Sequence, residues 1–189
     1  MTDAAAADIA LLEQWRAGDA KAGKALFERH FSSVYGFFET KCPAEVDELV
    51  QSTFFACVKA RDQFRADSSF RTYLFTIARN ELCRHLRTRM RRDAKLDFAL
   101  SSIAELVSSA GSRLARNQEH QQLVAELQQL PVDQQTLLEL HYWDELDIAQ
   151  LAEVFDVPAA TIRTRLYRAR NALRDQMARL GRPRLQECL

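Results

Sequence analysis

Apolar residues recur at helical spacing along most of the chain, interrupted by only a few short breaks. A run at i, i+3, i+4 and i+7 falls on one side of an α-helix and predicts a helix with one buried face. Helices are predicted from near Asp8, from just after Gly18 and Asp19 to about Lys41, from about Ala44 to Asp62, and from about Ser68 to Arg92. Pro43 and the stretch RADSS (65–69) break the pattern, and SSAGS (108–112) with RNQEHQQ (116–122) reads as a connecting segment. The pattern resumes in LVAELQQLPVDQQTLLELHYW (123–143) as two helical stretches divided at Pro131.

The sharpest pattern is LDIAQLAEVFDVPAATIRTRLYRARNAL (146–173). Ile148, Leu151, Ala152 and Phe155 form the stripe of a short helix, with Asp147 placed to cap it. Asp156 tolerates the left-handed conformation better than most residues, and Pro158 suits the first position of a new helix. In that next helix Ile162, Leu166, Ala169 and Leu173 face inward, and Thr164, Tyr167, Arg168 and Asn171 fall opposite. The prediction is a helix-turn-helix whose second helix points polar and cationic groups outward. Arginine can bond guanine bidentately, threonine can meet a thymine methyl, and flanking arginines neutralise phosphates.

Only five glycines and four prolines in 189 residues leave too few turns for sheets, so the fold class is all-α. The formal net charge is zero, but the charges are segregated. From Glu126 to Val157 there are acids and no Lys or Arg, and from Pro158 to Arg174 there are arginines and no acid. That inversion marks a face for an anionic partner. A second basic run, CRHLRTRMRRDAK (83–95), closes the amino-terminal half. Before it, FRADSSFRTYLFTIARN (64–80) sets Arg71, Arg79 and Asn80 among aromatics, with Phe70, Tyr73, Leu74, Ile77 and Ala78 as its apolar face. Such interleaving suits single-stranded or melting DNA, though aromatic stripes at helical spacing also build plain cores.

Several classes of chemistry fall away. The chain lacks G-x-x-x-x-G-K-[ST], G-x-S-x-G and H-E-x-x-H, so no enzymatic activity and no cofactor are expected. Cys42, Cys57, Cys83 and Cys188 contain no C-x-x-C pair, which predicts neither zinc nor disulfides: the first three read as core residues and Cys188 as a free thiol. His30, His85, His120 and His141 are dispersed, and no metal site is expected. There is no basic leader and no apolar run near the ~20 residues that cross a bilayer, so the expected location is cytoplasmic, without membrane insertion.

Three stretches, in order, resemble the extracytoplasmic-function sigma factors of the sigma-70 family: FERHFSSVYGFF, VDELVQSTFFACVKARDQFRADSSFRTYLFTIARNELCRHLR, and LQQLPVDQQTLLELHYWDELDIAQLAEVFDVPAATIRTRLYRARNALR. The resemblance implies two small helical domains on a flexible linker, with core RNA polymerase and promoter DNA as partners. Residues 1–95 match the sigma-2 domain, 96–122 the linker and 123–189 the sigma-4 domain. Asp47, Glu48, Gln51, Ser52 and Phe55 match the face that meets the polymerase clamp. Arg65, Ala66, Asp67, Ser68 and Ser69 match the loop that captures a flipped minus-10 base, with Arg71, Thr72, Arg79 and Asn80 on the adjoining helix. Thr161, Arg163, Thr164, Tyr167, Arg168 and Asn171 make up the minus-35 face. An anti-sigma factor or a Ser/Thr kinase is the expected regulator. Ser52 stands where many relatives are acidic, and a phosphate on Ser52, or on its neighbour Thr53, would restore that charge. The rival reading, a stand-alone helix-turn-helix regulator, accounts for residues 147–174 and leaves the amino-terminal half unexplained.

Overall fold

The computed structural model describes residues 3–64, 68–89, 98, 101–103 and 118–179, which hold eight α-helices and no strand. The amino-terminal half contains α1 (Asp3–Arg16), α2 (Ala20–Glu39), α3 (Val46–Ala60) and α4 (Phe70–Arg89), with a 3-10 turn at Arg61–Gln63. The carboxy-terminal half contains α5 (Gln118–Leu127), α6 (Val132–Tyr142), α7 (Ile148–Phe155) and α8 (Ala159–Arg179). The helix α5 starts five residues before the domain boundary expected at residue 123.

Gly18 turns the chain between α1 and α2 at a φ of +105°, and Asp19 then caps α2 by accepting the Lys21 amide at 2.8 Å. The two helices approach closely because a Cβ at Gly23 would lie only 2.7 Å from the Trp15 ring. Buried Asp8 pins the pair, meeting His30 Nε2 at 2.7 Å and Arg29 Nε at 3.0 Å. His30 is thus a satisfied core histidine.

The helix α3 buries Val46, Leu49, Val50, Thr53 and Cys57 and packs on α4. More of α4 is buried than one stripe, because it also packs against α7 of the other half. Thr72 and Phe75, which lie outside the apolar face predicted from sequence, are buried as well. Each fully buried Leu or Phe in this core contributes roughly 1.5–3 kcal/mol. Burial pushes the thiols of Cys42 and Cys57 up to about 12, and it raises Cys83 as well. Cys188 lies outside the described residues.

In the second half α6 is buried nearly all round, as a central helix must be. Pro131 at its N-cap offers no side-chain acceptor, yet the first amides of a helix need partners. The connecting segment supplies them: Val132 N donates to Ser101 O at 2.8 Å and Asp133 N to Phe98 O at 3.0 Å. Phe98 and Ile103 are buried there, so this part of the connection adds to the core, where the sequence predicted a spacer alone.

Candidate nucleic-acid and polymerase-binding surfaces

The helix-turn-helix forms as its residues dictate. Asp147 Oδ1 accepts the Gln150 amide at 2.9 Å and Gln150 Oε1 accepts the Asp147 amide at 2.9 Å, a reciprocal cap on α7. Asp156 adopts the left-handed conformation at φ 52° and ψ 50°, and Val157 N reaches back to Ala152 O at 3.1 Å. The chain then enters α8, which buries Ile162, Leu166, Ala169, Leu173 and Met177.

The opposite side of α8 is open. Arg163, Thr164, Tyr167 and Arg168 are exposed, and Tyr167 shows 61 % of its surface. Thr161 and Asn171 are half-buried at the edges of this face. Neither Arg163 nor Arg168 forms an ion pair among the described residues. Two free guanidiniums beside an exposed phenol can take phosphates and base edges without first breaking another contact.

The residues expected to read the minus-10 element are divided. Arg65, Ala66 and Asp67 lie outside the described residues. Ser69 caps α4: its hydroxyl accepts the Thr72 amide at 3.0 Å and meets the Thr72 hydroxyl at 2.7 Å. Thr72 is only 1 % exposed and serves here as the buried partner of the Ser69 cap. Ser68 is half-buried, and Asn80 is exposed.

Arg71 and Arg79 are both engaged. Arg71 Nη2 donates to Asp144 Oδ1 at 2.9 Å and Arg79 Nη2 to Asp133 Oδ1 at 2.7 Å. The Arg79 guanidinium also lies 4.5 Å from the Phe155 ring centroid. Burial raises the Asp144 carboxyl above its ordinary range, against the pull of Arg71 and of the more distant Lys41.

Next to these pairs, Lys41 and Glu139 form an ion pair with side chains 0 % and 2 % exposed. The Lys41 ammonium also donates to Phe37 O at 2.9 Å and Thr40 Oγ1 at 3.3 Å. Glu139 accepts in addition from Thr40 Oγ1 at 3.0 Å and Gln135 Nε2 at 2.7 Å. Sequence reasoning missed Lys41, Asp133, Glu139 and Asp144. The signal that could have found the acids was the long cation-free stretch from Glu126 to Val157, read then only as the complement of a basic face.

On α3, Asp47, Glu48 and Gln51 are exposed and Phe55 shows 59 % of its surface, with the Lys59 ammonium 4.3 Å from its ring centroid. Ser52 is half-buried. Thr53, the second candidate for a phosphate, is fully buried and its hydroxyl donates to Leu49 O at 2.8 Å. Exposed Phe31 and Val58 extend the surface into a groove of about 460 Å³ floored by Phe27 and Phe54, which the sequence reading left out. Its signal was the recurrence of Phe at 27, 31, 54 and 55 beyond what one buried stripe requires.

Comparison with known proteins agrees with this layout. Residues 26–92 match the model for sigma-70 region 2, and residues 120–173 match that for sigma-70, region 4. The chain is 30 % identical over 184 residues to the ECF RNA polymerase sigma-E factors of Salmonella typhimurium and Escherichia coli, covering 93 % of this chain and 96 % of each relative. It shares its fold with two solved structures at 22 % identity. One is the sigma factor RpoE with the anti-sigma factor NepR from Bartonella quintana, at a TM-score of 0.65 over 82 % of this chain and 96 % of that one. The other is CnrH with the cytosolic domain of CnrY, at 0.68 over 91 % and 97 %. The chain belongs to the extracytoplasmic-function sigma factors of the sigma-70 family, alternative sigma factors that direct transcription initiation.

Proposed function

We propose that the chain binds core RNA polymerase through α3 and directs it to promoters, with α8 reading the minus-35 element and α4 with the 65–69 loop reading the minus-10 element. The observation that carries this reading is the open face of α8, where Arg163, Thr164, Tyr167 and Arg168 project outward from a helix whose other side is buried. A helix so presented by a capped turn fits a major groove. The exposed acids Asp47 and Glu48 beside apolar Phe55 suit a basic, partly apolar docking surface on the polymerase. An anti-sigma protein is the proposed regulator, in keeping with the complexes formed by the two structural neighbours. Ser52 on α3 is the proposed phosphate acceptor for a Ser/Thr kinase.

Each half offers only a small reading face, so promoter recognition needs a partner that fixes their separation. Footprinting with and without core polymerase tests the reading. Protection of two separated elements is expected only with polymerase present. Protection of a palindrome by the free chain would favour the stand-alone regulator.

A further inference from the structure

The helix α2 holds two glycines, and only one of them has a packing reason. A glycine inside a helix is destabilising, and it is kept where another group must come close to the backbone. Gly23 fits that description, since a Cβ there would strike the Trp15 ring. At Gly36 a Cβ would meet no atom within 4 Å. Gly36 opens instead onto a cleft of about 370 Å³ between α2 and the end of α6. Phe37, Thr40 and Glu139 are buried at its floor, and Ser32 and Trp143 are exposed at its rim. A cleft of this volume is of the size that holds small molecules.

The polar lining consists of acceptors whose bonding capacity is unfilled. Asp144 is only 9 % exposed and Arg71 binds its Oδ1, but its Oδ2 takes no hydrogen bond among the described residues. Glu39 is half-buried and forms neither an ion pair nor a hydrogen bond among them. Lys41 neutralises Glu139 and Arg71 neutralises Asp144, so the Glu39 carboxylate leaves the cleft with an excess of negative charge. The wall is rigid: the amides of Trp143 and Asp144 both donate to Glu139 O, at 2.8 and 3.2 Å, and the His120 ring lies against the indole with centroids 5.4 Å apart. An indole face attracts a cation, and unfilled carboxylate lone pairs need N–H donors. The excess charge disfavours anions, and a quaternary ammonium could use the ring but not the lone pairs. We propose that this cleft is a binding site for a small organic cation bearing a primary ammonium group, whose N–H donors take up the lone pairs of Glu39 and Asp144 and whose carbon stem lies along Trp143. None of the surfaces proposed for polymerase or DNA supplies Gly36, Glu39 or Trp143, so the site is separate from them.

The cleft draws on both halves of the chain, so a bound cation stabilises the folded molecule by mass action. The test titrates the full chain at low salt with the aliphatic diamine putrescine. Calorimetry reads the affinity and tryptophan emission the place, because Trp143 is the exposed one of the two tryptophans and Trp15 is buried. Half-saturation at or below about 1 mM is expected, with a change in emission and a higher melting temperature. Butanediol and tetramethylammonium should produce neither. Glu39→Gln and Trp143→Ala should each weaken binding about tenfold. Gly36→Leu should fill the cleft and abolish binding, whereas Gly36→Ala should raise the melting temperature and leave the affinity within about twofold. Helicity identifies any variant that fails to fold, and Glu39→Gln, a change of one atom at a half-buried position, decides the matter without Gly36→Leu. The proposal is overturned if putrescine fails to bind at about 10 mM, if Mg²⁺ or tetramethylammonium binds as tightly, or if Glu39→Gln binds as the unsubstituted chain does.

Discussion

Arg16, at the end of α1, reaches across to the point where the chain leaves α3 for the proposed minus-10 loop. Its Nη2 donates to Arg61 O at 2.7 Å and to Phe64 O, and its Nε donates to Arg61 O at 3.2 Å. Arg61 answers by placing its guanidinium 5.2 Å from the Trp15 ring centroid. Hydrogen bonds from charged donors contribute about 1.5–3 kcal/mol each. The three bonds share two acceptors, and the site is only half-buried, so Arg16→Ala should cost about 2–3 kcal/mol of stability. With a urea slope of ~1–3 kcal/mol/M, the unfolding midpoint should drop by about 1 M or more. Arg16→Lys keeps a charge but loses the fork, and should recover about half of the loss. Because the clamp fixes the entry to residues 65–69 and lies away from Asp47 and Glu48, strand opening should suffer while core-polymerase affinity holds. Urea unfolding, polymerase binding and permanganate mapping of the melted strand read the three effects. A stability loss below about 0.5 kcal/mol, or a loss of polymerase affinity as large as the loss of opening, would contradict the clamp's assigned role.

Arg163→Ala and Arg168→Ala should each cost roughly 1–3 kcal/mol of promoter binding and relax preference at one minus-35 position, if the residue meets a base edge. A phosphate contact would weaken all sequences alike and flatten the salt dependence, and selection of bound sequences tells the two apart. Ser52→Glu should bind core polymerase more tightly than Ser52→Ala, and equal affinities together with no phosphate on Ser52 in cells would remove the switch. The folded-state values of Cys42 and Cys57 stand at about 12, well above an unfolded thiol's ~8.5. Their stabilising contribution is complete below the unfolded value and is lost as pH rises through the folded one, so stability should begin to fall above about pH 9. At pH 8 in a Cys188→Ser background, modification of these thiols by a disulfide reagent should run no faster than unfolding, and rapid labelling of the native protein would contradict their burial.

The helix-turn-helix was legible because its determinants are local. The Asp147 cap, the left-handed Asp156, the Pro158 start and the Ile162, Leu166, Ala169, Leu173 stripe act within a few residues of one another, and each stands where the pattern put it. What the sequence hid is non-local. Lys41 and Glu139 are 98 residues apart and Arg71 and Asp144 are 73 apart, and no periodicity links such pairs. A charged side chain in a helical pattern reads as exposed by default, and only the tertiary packing brings Lys41 and Glu139 together in the interior. The burial of Thr72 was hidden as well, because its bond to Ser69 belongs to a cap that a polar stretch does not announce.

The chain is proposed to select promoters for core RNA polymerase. The most direct measurement is run-off transcription on fragmented genomic DNA with core polymerase, with and without the purified chain. A discrete set of new start sites is expected, appearing only when both proteins are present and sharing two separated upstream elements. The upstream element should lose base preference with Arg168→Ala. The same transcripts with and without the chain would contradict it.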